Sequence, residues 1–213
     1  MLEINNLCYA EKFLLQKAVV IFDLDDTLYS EKDYVRSGFA EVARHFKEIH
    51  NMENKLWDAF VSGKQAINYV LAQEGMFSDE TIDLCLNIYR NHQPKISLYS
   101  DANKLLRSLI NHGIHLGMIT DGRPEGQRAK IDALKIGHCF EKIIITDELG
   151  GESFRKPNTA AFEKMQVYFN VPYESMVYVG DNLKKDFIAP NLLGMDSIYF
   201  KNPEGLYSTR MLV

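Results

Sequence analysis

Residues 18–29 read AVVIFDLDDTLY, and the predicted fold can be built outward from this stretch. Its first five residues, Ala18–Phe22, form an apolar run of the kind that favours a strand covered on both faces of a sheet. Asp23, Asp25 and Asp26 follow this run directly. Like charges so close together repel one another, which raises the question of what offsets the repulsion.

Four further apolar runs predict strands in the rest of the chain. These runs are His115–Ile119, Lys142–Ile145, Met176–Val179 and Ser197–Phe200. Helical patterns are found at Ala102–Asn111, Gly126–Lys135 and Thr159–Phe169. Strands that alternate with helices predict an α/β fold, with a doubly wound, parallel, Rossmann-like sheet and right-handed crossovers.

The interval from about Tyr29 to about Tyr99 interrupts this alternation. It lacks a good strand pattern and predicts three or four amphipathic helices, with Phe39, Val42 and Phe46 on the apolar face of one of them. We therefore predict an α/β core of residues 1–28 and 100–213, with a helical module of residues 29–99 inserted after the first core strand.

Composition and charge limit the classes of partner. The chain has 213 residues, a net charge of −5 and three cysteines without a CxxC pair. These values favour a globular protein with reduced thiols and give no reason to expect a nucleic-acid surface. No stretch approaches the ~18 apolar residues of a membrane span, and the N-terminus does not resemble a secretory signal. We expect a cytoplasmic monomer or homodimer without a nucleic-acid or membrane partner.

Polar residues follow several predicted strands at the point where each strand ends. In open α/β sheets, ligands bind at the carboxyl ends of the strands. We therefore expect one site to contain Asp23, Asp25, Thr120, Asp121, Lys156, Asp181 and Asp186.

These residues resemble the four motifs of the haloacid dehalogenase-like superfamily of phosphatases. Residues 23–27 match the first motif, DxDxT, and Thr120 matches the second. Lys156 matches the third, and Gly180-Asp181 with Asp186 matches the fourth. The helical insertion resembles the family's C1 cap.

The resemblance implies a Mg²⁺ site and an aspartyl-phosphate intermediate. Asp23 would bind Mg²⁺ through one oxygen and attack phosphorus with the other. Asp25 would bind Mg²⁺ through its backbone carbonyl, while its side chain acts as general acid and base. Asp181 would supply another metal ligand, and Asp186 would support the site without binding the ion. In this way a cation offsets the repulsion within the carboxylate cluster.

The same resemblance implies how the phosphate group is held. Thr120 and the backbone amides that follow it, beginning with Asp121, would bind the phosphoryl oxygens. Lys156 would balance charge between Asp23 and the phosphate. The expected substrate is a small phosphorylated metabolite, either a sugar phosphate or a nucleotide.

Functions other than that of a phosphatase are also considered. A phosphosugar mutase could use the same residues, and a binding protein of this fold could lack turnover altogether. Dehalogenation is disfavoured, because dehalogenases of the superfamily lack an aspartate at the position of Asp25.

Arg90 and His92, where the insertion returns to the core, are the predicted contacts to the leaving group. Arg90 would contact an anionic group, and His92 would contact a hydroxyl.

Overall fold

The sheet has six strands, as seen in a computed structural model that describes residues 1–206. The strands are Leu2–Ile4 (β1), Val19–Phe22 (β2), His115–Thr120 (β3), Lys142–Ile145 (β4), Met176–Gly180 (β5) and Asp196–Phe200 (β6). Their order is β1-β6-β5-β2-β3-β4, and all neighbouring pairs are parallel. The predicted α/β class with a parallel, Rossmann-like sheet is confirmed. β1 was not predicted, because only one of its three residues is buried and so short a segment gives no apolar run.

β2 lies in the middle of the sheet, between β3 and β5. All four of its residues are fully buried, as its continuous apolar run predicts. Phe22 is level with Met118 on β3 and with Val179 on β5. The carboxyl ends of these three strands therefore meet at the point where the strand order reverses, which is where open α/β sheets bind ligands.

Nine α-helices accompany the sheet in the described residues. They are Glu11–Leu14 (α1), Glu31–His45 (α2), Met52–Val61 (α3), Ala66–Gln73 (α4), Asp79–Asn91 (α5), Ser100–Asn111 (α6), Pro124–Leu134 (α7), Ala160–Phe169 (α8) and Ile188–Leu193 (α9). Short 3₁₀ turns span Leu7–Ala10, Gly137–Cys139, Thr146–Leu149, Glu152–Phe154 and Tyr173–Ser175. None of the helices in residues 1–206 is long and apolar enough to cross a membrane.

The chain forms two compact units. Within the described residues, the core unit comprises Met1–Glu31 and residues 97–206, and it contains all six strands. Its helix α8 lies close to β3, since a Cβ atom added to Gly117 would be 3.2 Å from the sulfur of Met165.

The helical unit, Lys32–Ile96, contains α3, α4, α5 and nearly all of α2. Its buried apolar side chains form a core of its own, which includes Phe39, Val42, Leu56 and Leu71. Such a core accounts for the helical periodicity of the sequence in this interval. The function of this unit as a cap stays a prediction.

Candidate active site

The site lies in the core unit, in the loops that follow β2, β3, β4 and β5. It surrounds a cavity of about 270 Å³. The lining residues are Asp23, Asp25, Glu31, Asp121, Gly122, Arg155, Lys156, Asp181 and Lys185. The structure thus brings most of the predicted site residues together, and it adds Glu31, Arg155 and Lys185, which the sequence analysis did not identify.

Three buried carboxylates, those of Asp23, Asp181 and Asp186, form the acidic centre of the site. One oxygen of each lies within 4.8 Å of the others. Burial, together with the neighbouring charges of Asp23 and Asp186, raises the pKa of Asp181 to about 9. Burial likewise raises the pKa of Asp23 to about 7, although Lys156 opposes the shift. These carboxylates are therefore costly to ionise without an added cation.

Lys156 lies against this acidic centre. Its Nζ is 2.7 Å from Asp23 Oδ1, 2.8 Å from Asp186 Oδ1 and 2.8 Å from the Tyr178 hydroxyl. Its side chain has no exposed surface. Burial would lower the pKa of Lys156, but Asp186 and Asp23 hold it well above its usual value. A permanent positive charge therefore lies beside the predicted nucleophile.

Asp186 is fully buried and has several hydrogen-bond partners of its own. Besides Lys156, its carboxylate accepts hydrogen bonds from the Asn182 backbone amide and from the Tyr178 hydroxyl. Tyr178 was not predicted from the sequence, because a tyrosine inside an apolar strand gives no signal that distinguishes it from an ordinary core residue. Such a web of contacts suits the supporting role expected of Asp186, which stays a prediction.

The carboxylate of Asp25 accepts hydrogen bonds from three side chains. Lys130 Nζ lies 2.8 Å from its Oδ1 and Gln127 Nε2 lies 2.9 Å from its Oδ2, while the Tyr29 hydroxyl also donates to Oδ1. Burial would raise the pKa of Asp25, but the Lys130 charge and these hydrogen bonds hold it below its usual value. Lys130 and Gln127 were not identified from the sequence, because polar residues of an amphipathic helix are ordinarily expected to face solvent. Tyr29, in the loop after β2, was not identified either.

Of the predicted phosphate-binding residues Thr120 and Asp121, only Asp121 lines the cavity. Thr120 is fully buried at the end of β3 and accepts a hydrogen bond from Gln127. It is not among the residues that line the cavity. The Asp121 side chain accepts hydrogen bonds from the Lys156 amide and from Lys185 Nζ, at 3.0 and 2.8 Å. Asp121 therefore orders the cationic loops around the site, and the binding of phosphoryl oxygens by Thr120 and by the Asp121 amide stays a prediction.

The loop after β2 is held by its own polar residues. Asp26 has a positive φ of 53°, and its carboxylate accepts hydrogen bonds from the backbone amides of Glu31 and Leu206. It therefore stabilises the start of α2, in line with the preference for a carboxylate at a helix N-terminus. The hydroxyl of Thr27 donates to Asp181 Oδ1 at 3.5 Å. The contact of Thr27 with Asp181 ties the loop to the end of β5.

Arg90 and His92 lie in the helical unit, at the carboxyl end of α5. The ring of His92 is buried beside the rings of Tyr34 and Tyr89, and its Nδ1 lies 2.6 Å from the Tyr89 carbonyl oxygen. Arg90 is exposed. His92 therefore contributes to the packing of its own unit. Contact of Arg90 and His92 with a substrate stays a prediction.

The donor set of the cavity fits a divalent cation. Five carboxylates line the cavity against three cationic side chains. An ion of charge +2 would balance this difference, and carboxylate oxygens are the ligands that Mg²⁺ prefers. Asp23 and Asp181 are the lining carboxylates that also belong to the buried acidic centre. The residues present therefore fit a Mg²⁺ ion.

Two relatives resemble the chain over most of its length. A glyceraldehyde 3-phosphate phosphatase from Methanocaldococcus jannaschii is 31% identical over 193 residues, which cover 84% of this chain and 82% of the relative. The enzyme of the same name from Pyrococcus abyssi is 31% identical over 201 residues, which cover 86% of this chain and 81% of the relative.

A solved structure and a family model agree with these relatives. The structure of a HAD-superfamily hydrolase from Geobacter sulfurreducens matches with a TM-score of 0.67 at 13% identity, over 88% of this chain and 89% of that one. The sequence model of the haloacid dehalogenase-like hydrolases matches residues 20–200. The chain therefore belongs to the haloacid dehalogenase-like hydrolase family.

Proposed function

We propose that this hydrolase is a Mg²⁺-dependent phosphatase, which cleaves small phosphate monoesters through an aspartyl-phosphate on Asp23. One observation carries the proposal. The carboxylate of Asp23 lines the cavity, only 2.7 Å from the buried ammonium of Lys156 and beside the carboxylates of Asp181 and Asp186. Such an arrangement supplies a nucleophile together with a charge that can accept an anionic substrate.

In the first step, a carboxylate oxygen of Asp23 attacks phosphorus. The new P–O bond forms as the bond between phosphorus and the leaving oxygen breaks. Asp25 must carry a proton for this step, although the Lys130 charge holds its pKa below the usual value, and it gives that proton to the leaving oxygen, which departs as an alcohol. Lys156 stabilises the negative charge between Asp23 and the phosphoryl group.

In the second step, water attacks the phosphorus of the aspartyl-phosphate. Asp25, now a carboxylate, takes a proton from this water, and the bond between phosphorus and Asp23 breaks. Inorganic phosphate leaves, and both aspartates return to their starting forms. The cycle consumes one ester and one water and releases one alcohol and one phosphate.

The carboxylates of Asp23 and Asp181 would hold the Mg²⁺ ion, together with the backbone carbonyl of Asp25. The bound ion would neutralise negative charge on the carboxylates and on the phosphoryl oxygens. Asp186 would hold Lys156 in place behind these ligands. The charge balance of the cavity lining supports this assignment.

The substrate is a small phosphate ester, and glyceraldehyde 3-phosphate is the first to assay. The two relatives are named for that compound, and a cavity of about 270 Å³ suits a small ligand. Sugar phosphates and nucleotides form the rest of the panel.

The experiment is to measure phosphate release from this panel with Mg²⁺ and again with excess EDTA. We expect release from at least one alkyl phosphate in Mg²⁺ and its loss in EDTA. Isomerised substrate without free phosphate would instead identify a phosphosugar mutase. Substrate binding without either product would favour a binding protein and contradict the proposal.

A further inference from the structure

The side chain of Asp25 has an unusual number of donors for a group that must exchange protons during the reaction. Lys130, Gln127 and Tyr29 all donate to its two oxygens. Both oxygens are therefore engaged by residues of the chain itself. The proposed mechanism gives no role to any of these donors.

Lys130 and Gln127 both lie on α7, three residues apart, so they project from the same face of the helix. Only 6% of Lys130 and 3% of Gln127 is exposed. Burial of an ammonium group is unfavourable unless it is paired. An exposed residue of the same helix, Arg128, instead contacts Glu148 at the surface.

We propose that Lys130 is a positioning residue, which fixes the carboxylate of Asp25 at the cavity wall with the help of Gln127 and Tyr29. This inference rests on the proposed function, in which Asp25 must meet first the leaving oxygen and then the attacking water. The three donors act from different residues and reach both oxygens of the carboxylate. They therefore restrict its rotation as well as its position.

Whether the first step of the reaction needs Asp25 depends on the leaving group of the ester. An alkyl ester needs a proton on its leaving oxygen, so misplacement of Asp25 slows formation of the aspartyl-phosphate. The para-nitrophenolate ion leaves without a proton, so this step is spared with para-nitrophenyl phosphate. Hydrolysis of the intermediate needs Asp25 with both esters.

The test variant is Lys130→Met, which keeps an unbranched side chain, one atom shorter, and removes its donor. With the best alkyl ester, we expect product formation in a single turnover to slow by about tenfold to a hundredfold. With para-nitrophenyl phosphate, we expect a rapid burst close to one equivalent of para-nitrophenolate, followed by slow turnover. Arg128→Met, on the exposed side of the same helix, should behave as wild type.

A double variant tests whether Lys130 acts through Asp25. Asp25→Asn alone should show the same burst and a slower second step. Addition of Lys130→Met to Asp25→Asn should slow the reaction no further, because residues that act as a unit are not additive. If Lys130→Met does not fold, Tyr29→Phe removes a different donor to Asp25, and the same burst and double-variant tests apply to it.

Three results would overturn the inference. The first is an equal loss of the burst and of alkyl-ester cleavage, which would mean that Lys130 supports Asp23 or the whole site. The second is wild-type kinetics in Lys130→Met, and the third is additive losses in the double variant. Each requires that the wild-type protein hydrolyses phosphate esters. Absence of hydrolysis by the wild type would refute the proposed function itself.

Discussion

Asp23 shows how much a single residue of this site depends on its neighbours. It is buried and lies beside two other carboxylates, and its closest cation is Lys156. An amide at this position would keep the shape of the side chain but lose the negative charge and, in the proposed mechanism, the oxygen that attacks phosphorus.

We therefore expect Asp23→Asn to lower turnover by more than about 10⁴-fold, the scale seen when a residue of a catalytic unit is removed. The measurement is steady-state phosphate release with the best substrate in Mg²⁺. Circular dichroism should show an unchanged fold. Turnover comparable to that of the wild type would exclude Asp23 as the nucleophile.

A second substitution tests the role of Lys156, the cation that pairs with Asp23 and Asp186. Its replacement by methionine would leave Asp23 and Asp186 buried without their shared partner. Removal of one member of a buried ion pair costs about 3–5 kcal/mol. We expect urea unfolding of Lys156→Met to show a loss of this order.

The matched control is Lys201→Met, because Lys201 pairs with Glu3 at the surface and both side chains are more than half exposed. Exposed pairs contribute little to stability, so this variant should unfold as the wild type does. Equal stability of Lys156→Met and the control would contradict the account of Lys156 as the shared partner of two buried carboxylates.

Strand β5 ends at Gly180, which is packed so closely against Asp186 that no side chain fits between them. A Cβ atom added to Gly180 would lie 2.5 Å from Asp186 Oδ2. We expect Gly180→Ala to displace Asp186, to destabilise the protein by about 1–3 kcal/mol and to reduce turnover through Lys156. Urea unfolding and steady-state kinetics measure the two effects.

Gly137→Ala is the control for this change, since its added Cβ atom would meet Ile131 at an ordinary 3.5 Å. Its stability and activity should stay close to those of the wild type. If Gly180→Ala is as stable and as active as Gly137→Ala, the contact between β5 and Asp186 has no functional importance.

At the scale of the whole molecule, a bound ion should stabilise the fold. A ligand that binds only the folded state adds about 2.7 kcal/mol when its free concentration is a hundred times its Kd. We expect the Tm of the protein to rise with Mg²⁺ concentration and to fall when EDTA is added. Asp181→Asn should lose most of this dependence, and an undiminished rise in that variant would exclude Asp181 as a ligand.

The metal-free protein should also lose stability as the pH rises. The pKa of Asp181 rises from its ordinary value of 3.8 to about 9 in the fold, chiefly because of burial. Between these values the folded state keeps a proton that the unfolded state has released, so the free energy of unfolding decreases with pH.

Urea unfolding in EDTA measures the free energy of unfolding at a mildly acidic pH and near pH 9, the pKa of Asp181 in the fold. Asp181→Asn lacks the titrating group and should show a shallower decrease. A decrease as steep in Asp181→Asn as in the wild type would show that other groups cause the pH dependence.

The local apolar pattern was enough to predict the fold class and the ends of the strands that form the site. Continuous apolar runs rich in β-branched residues, such as Val19–Phe22, favour strands covered on both faces, and parallel strands place their carboxyl ends at one edge. The positions of Asp23, Asp121, Lys156 and Asp181 around one cavity follow from this local pattern.

Long-range packing, by contrast, sets which side chains hold the carboxylates of the site in place. Lys130 lies 105 residues from Asp25 along the chain, and Tyr178 looks like an ordinary residue of a buried strand. A polar side chain on an amphipathic helix has the same sequence pattern whether it faces solvent or a buried carboxylate. The difference arises from the packing of α7 beside the loop after β2, because long-range packing, and not local periodicity, determines which polar groups are buried together.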